Sequence, residues 1–128
     1  MGFGMMGDNI NKIVRYRKKS SIGVFYWEYG IIIKNPNNDK YEKYPYWFAD
    51  INNIEGLDLN QKYKIEEYPC GAAMSKSEVN RFRLKNYERF GDDEYDLEVV
   101  GEYRDGYLYF DIDPKLDMVA PKGIHYIG

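Results

Sequence analysis

The sequence predicts an α+β class: a mainly antiparallel sheet of about five to six strands, one principal helix near residues 76–90 and a C-terminal β-hairpin over residues 95–113. Short alternating segments bounded by turn residues outnumber helical patterns. A single capping signal precedes a single apolar helical stripe, and no βαβ alternation occurs. The 128 residues suit one domain spanning 1–128, and 44% apolar content suffices for a core without disulfide or metal.

Residues 11–19 (NKIVRYRKK) alternate as a strand, and Ser20-Ser21 is expected to turn it back into residues 22–28, with 31–34 continuing extended. That register sets Val14 and Tyr16 on one face with Phe25 and Trp27, and Arg15, Arg17 and Lys19 on the other. Asn35-Pro36-Asn37-Asn38-Asp39 is a turn, because Pro presets φ and Asn and Asp bond back to their own backbone. The aromatic stretch 41–48 (YEKYPYWF) reads as an edge strand or bulge, since Pro45 has no N–H to donate. Residues 50–60 read as loop with short extended pieces, 61–68 as a strand, and Gly71-Ala72-Ala73 as a small-residue turn.

Ser75-Lys76-Ser77-Glu78 fits a capping box, in which the Ser hydroxyl accepts from the amide three residues on and the Glu reaches back. The helix it opens is expected to end at Gly91, where a missing Cβ permits a left-handed cap. Val79, Phe82, Tyr87 and Phe90 fall within an arc of about 140° on the helical wheel. Arg83 and Asn86 lie in the same arc, and Arg83 is expected either to cover the core edge with its stem or to aim a half-buried guanidinium at an acidic group.

Asp105-Gly106 marks a type I′ hairpin, because both central positions need positive φ. It pairs Arg104 with Tyr107, Tyr103 with Leu108, Gly101 with Phe110 and Val99 with Ile112. With Leu97 and Tyr95 these form one apolar face without a bulge. The opposite face carries Asp96, Glu98, Val100, Glu102 and Arg104 beside Tyr107, Tyr109, Asp111 and Asp113, and sets Glu98 opposite Asp113. The tail 114–128, with two prolines and two glycines, is expected to wrap the surface.

Composition narrows function. One cysteine, Cys70, and one histidine, His125, exclude an internal disulfide and a Cys/His zinc site. Cys70 has no nearby histidine or CxxC partner and reads as a structural or incidental thiol. No P-loop, dinucleotide fingerprint or HExxH is present, so neither a cofactor nor a metal is expected. The N-terminal residues lack the apolar stretch of a signal peptide, and no apolar run approaches a membrane span, so a soluble, cytoplasmic protein is expected. Net charge is −3, unevenly spread: residues 1–64 carry +3 and residues 65–128 carry −6. Tyrosine occurs 14 times, in a chain also rich in Ile, Asn and Lys with their AT-rich codons, and so many phenols cannot all be buried.

Three functional classes follow. The first is a small non-catalytic protein-binding module. In size and composition alone the chain resembles inhibitor and immunity-type proteins, such as phage or mobile-element anti-defence proteins and antitoxins. Such a module would occlude a basic, nucleic-acid-binding surface of a partner protein with Glu98, Glu102, Tyr107, Tyr109, Asp111 and Asp113. The second is a nucleic-acid-binding accessory protein, holding phosphates with Arg15, Arg17 and Lys19 and stacking bases on Tyr44, Tyr46 and Trp47. The third is a metal-dependent hydrolase at Asp96, Glu98, Asp111 and Asp113, for which no general base stands at a recognisable spacing.

Overall fold

The computed structural model describes residues 9–20, 23–24, 26–37, 43–52, 54, 56–67, 70–83 and 86–114. The expectations for Ser21, Phe25, His125 and nearly all of the tail lie outside the described residues. Among the described residues, eight strands form one sheet: β1 (Lys12–Ser20), β2 (Gly23–Val24), β3 (Glu28–Lys34), β4 (Tyr46–Asp50), β5 (Gly71–Met74), β6 (Asn86–Phe90), β7 (Asp93–Arg104) and β8 (Tyr107–Phe110). The order is β5-β4-β3-β1-β7-β6, with β2 attached to β1 and β8 to β7. All these strand pairs are antiparallel, and the one parallel contact among the described residues is an isolated bridge from Arg83 to Glu98. The mainly antiparallel class is as expected.

The sheet is buried on both faces, and β1 shows why. Ile13 and Val14 are adjacent, point to opposite sides and are both fully buried. Ile13 belongs to a first core with Trp27, Tyr29, Ile31, Ile65, Val100 and Leu108. Val14 belongs to a second with Ile32, Phe48, Val79, Phe82 and Leu97.

Several sequence-based expectations are corrected. Strand β3 pairs with β1 so that Val14 meets Gly30 and Tyr16 meets Glu28. Trp27 therefore joins the Ile13 side rather than the Val14 side. Strand β4 is interior, between β3 and β5, and Pro45 immediately precedes it. At that position the ring removes no ladder donor, and the Pro45 carbonyl still accepts from Asn35 N–H at 2.9 Å. Residues 61–67 hold a 3-10 turn at Ile65–Glu67 where a strand over 61–68 was expected, and Gly71–Met74 is a strand instead of a turn.

The capping box is present: Ser75 Oγ accepts from Glu78 N–H at 3.2 Å, and Glu78 Oε1 accepts from Ser75 N–H at 2.8 Å. The helix it opens, α1, covers only Lys76–Val79. Asn9 Nδ2 donates to the Val79 and Phe82 carbonyls and Asn86 Nδ2 donates to that of Arg81, closing the helix end. Residues 86–90, expected to be helical, form β6 against β7. Gly91, at φ +62°, serves as a hairpin turn residue and not a helix cap. Five ladder pairs to an otherwise bare edge of β7 outweigh local helical pattern.

The hairpin turn is as expected, with Asp105 at φ 56° and Gly106 at φ 88°, and Gly101 pairs with Phe110. The single apolar face is not. Ile13 pairs with Gly101 but Val14 pairs with Val99, so Val100 is an extra residue that bulges β7. The bulge reverses the alternation. Tyr95, Leu97 and Val99 pack on the second core, while Val100, Tyr103, Leu108 and Phe110 pack on the first.

Candidate functional site

That reversal divides the expected acidic face. Before the bulge, Asp96 and Glu98 lie on the side of the first core, opposite Arg17 and Arg15 of β1. After it, Glu102 and Arg104 share the other side with Tyr107 and Tyr109. Strand β8 stops at Phe110, so Glu98 and Asp113 are not paired, and the like-charge opposition expected between them does not exist.

Glu98 is instead one rung of a cross-strand charge ladder. Arg15 donates from Nε and Nη2 to Glu98 Oε1 at 2.9 and 2.8 Å, and from Nη1 to the Tyr29 hydroxyl at 2.8 Å. Its guanidinium lies 3.9 Å from the Trp27 ring centroid, and that of Arg17 lies 4.3 Å from it. Arg17 donates to Asp96 Oδ2 at 2.9 Å, Lys19 approaches the same oxygen at 3.8 Å, and Lys18 meets Asp93 at 3.3 Å. The Arg15 and Glu98 side chains are only 12% and 18% exposed, which corrects the expectation that Glu98 serves the docking face. Burial works against the Arg15 charge, yet hydrogen bonds to Glu98 and Tyr29 outweigh it and leave the guanidinium pKa raised.

The other half of the expected face is open. Tyr109 is 43% exposed and Tyr107 half-buried, their ring centroids 6.5 Å apart. The Arg104 guanidinium lies 4.3 Å from the Tyr109 centroid, and Lys62 Nζ lies 5.6 Å from that of Tyr107. Glu102 bonds Arg104 and meets Lys12 at 3.6 Å. A depression of about 400 Å³ is lined by Lys12, Val99, Gly101, Glu102, Tyr109 and Asp111. Another of about 570 Å³ is lined by Leu59, Asn60, Tyr107, Leu108, Tyr109 and Phe110. Tyr109 is common to both. The structure thus brings Glu102, Tyr107, Tyr109 and Asp111 together, leaves Asp113 exposed three residues beyond β8, and removes Glu98 to the ladder.

Sequence reading placed Arg104 on this face but missed Lys12 and Lys62 as members of it. The complementary charges of residues 12–19 and 93–102 were the usable sign that the two segments pair, which would have placed Lys12 opposite Glu102.

The residues of the nucleic-acid reading are dispersed. Arg15, Arg17 and Lys19 are in the ladder. Tyr46 packs on the second core and Trp47 on the first, from opposite sides of β4, and Tyr44 is exposed before that strand. Asp96 and Glu98 of the hydrolase reading are both held by arginine, and no group of three metal-ligating side chains stands together among the described residues. Cys70 is exposed just before β5. No described helix is long and apolar enough to cross a membrane. No protein-family model matches the chain, and no curated protein and no solved structure matches it either.

Proposed function

We propose that this is a small non-catalytic protein-binding module of the inhibitor or immunity type, using the β8 side of the β7–β8 hairpin to cover a basic surface of a partner protein. The observation that carries the reading is Tyr109, a 43% exposed ring between two depressions. A rigid ring with a polar tip is a common anchor in protein interfaces, and it loses little conformational freedom on docking. Asp111 supplies an exposed carboxylate beside it for a partner's Arg or Lys, and Glu102, bridged to Lys12 and Arg104, would serve by exchanging those partners. The arrangement differs from a uniformly acidic surface: Lys12, Lys62 and Arg104 rim the same face, so recognition is of mixed sign and the tyrosines contribute more than net charge. A nucleic-acid ligand is disfavoured, because phosphates would have to displace Glu98 and Asp96 from Arg15 and Arg17.

The test is capture from the lysate of the native host by wild type and by Tyr109→Ala/Asp111→Lys. Wild type is expected to retain a basic protein that the variant loses, with far-UV circular dichroism unchanged. Equal capture by both would overturn this face as the docking surface.

A further inference from the structure

The second core opens to the surface at a depression of about 240 Å³ between α1 and the sheet. It shares no lining residue with the depressions beside Tyr109. Three aromatic rings, Tyr16, Phe82 and Tyr95, line it together with Met74 and Leu97. The ring layer continues beneath: Phe48 meets Tyr16 edge-on, with centroids 5.6 Å apart, and stacks on Phe82 at 6.5 Å. Ring faces carry negative potential and attract cations. The surrounding charges have the same sign. Glu78 of α1 stands in the lining. Glu28 lies directly across from Tyr16 and Glu88 directly across from Tyr95, so both carboxylates share the side of the sheet on which the depression opens. Asp50, across from Gly30, is on that side too. Burial, and after it the carboxylates of Glu28 and Asp50, raise the Tyr16 hydroxyl pKa, as in a region that resists a further negative charge. Arg81 is the cation in the lining, and Lys18, across from Tyr95 on β1, turns to Asp93 at 3.3 Å. Carboxylates therefore outnumber cations at this opening.

We propose that the depression binds a quaternary ammonium group, carried by a free small molecule or by a trimethylated lysine side chain. The site stands independently of the hairpin docking face. Its lining selects this cation over others. A primary ammonium brings three N–H donors, each of which needs an acceptor. Oε1 of Glu78 already accepts from the Ser75 N–H, and the rings, Met74 and Leu97 are poor acceptors. A quaternary ammonium has no N–H to satisfy. Its methyl groups bury against Met74 and Leu97, while the charge spread over them sits against the rings and feels the carboxylates around them.

Calorimetric titration with choline, with its neutral isostere in which carbon replaces the nitrogen, and with ethanolamine tests this, and NMR shifts locate the contact. Choline is expected to bind with a Kd of about 1 mM, at least about tenfold tighter than either comparator, and to move the resonances of Tyr95 and Leu97. Glu78→Gln keeps an acceptor for the capping box and is expected to weaken choline binding by about threefold. Tyr95→Leu keeps apolar bulk and is expected to weaken it by about fivefold, whereas Arg81→Gln is expected to strengthen it by about threefold. Circular dichroism checks that each variant is folded. Titration with trimethyllysine amide beside choline separates the two sources, the tighter ligand identifying which one supplies the group. Equal affinity for choline and its neutral isostere, or no saturation by either quaternary ligand up to about 20 mM, would overturn the proposal. Shifts confined to residues outside the depression would overturn it too.

Discussion

Arg15 is held by Glu98, Tyr29 and Trp27 at once. Removing the carboxylate charge leaves the Arg15 cation part-buried without its counter-charge, so Glu98→Gln is expected to cost about 1–3 kcal/mol in chemical denaturation. Replacing both by methionine is expected to cost less than the sum of the two single changes, because no stranded charge remains. Glu28 behaves oppositely. Burial raises its carboxyl pKa, a hydrogen bond from Tyr26 lowers it, and nearby Asp50 raises it further, for a net increase. A pKa higher in the folded than in the unfolded chain means that the neutral form is favoured on folding. That contribution is fully present below the unfolded pKa and is lost as pH rises through the folded one. Glu28→Gln is therefore expected to raise the melting temperature at neutral pH, with the gain vanishing on acidification below the ordinary carboxylate range. At this scale the sequence was informative about which residues are charged and exposed only where its register was right. Tyr109 and Asp111 were placed correctly in the open, whereas Glu98 was not, because its partner stands 83 residues away on β1 and no local pattern reveals that distance.

Elements with their own turn chemistry were legible. Asp105-Gly106 specified the hairpin register through Gly101, and Ser75 with Glu78 specified the helix start. The length of the helix was not legible, because a stripe of Val79, Phe82, Tyr87 and Phe90 suits a helix as well as it suits a short turn followed by a strand. Gly91-Asp92 between alternating segments carried the other reading. The bulge at Val100 was equally hidden, since an extra residue shows only against the partner strand. Gly101 beside it has little room: a Cβ there would meet the Tyr109 carbonyl oxygen at 2.1 Å, and a backbone atom cannot swing aside as a side chain can. Gly101→Ala is expected to destabilise by about 1–3 kcal/mol and to loosen β8, read as faster amide exchange at Leu108 and Phe110. Unchanged exchange at those two residues would contradict the pairing described.

At the scale of the molecule, one sheet separates the two cores that the described residues build. Among the described residues, the short helix and the turn after it contribute Val79 and Phe82 to the core with Val14, Ile32, Phe48 and Leu97. Phe82→Ala is accordingly expected to cost about 3–5 kcal/mol by thermal or chemical unfolding, as much as a central core ring in a larger domain. The sheet order also has a consequence for how the chain divides. Strands β1–β5 make one half, β6–β8 the other, and the seam is the β1–β7 ladder with its opposed charges. Cutting the backbone after Arg83 would yield two pieces carrying +3 and −6. Such pieces are preset for fragment complementation: mixed in equal amounts, they should recover the spectrum of the intact chain, at a rate that falls steeply as salt screens the attraction across the seam.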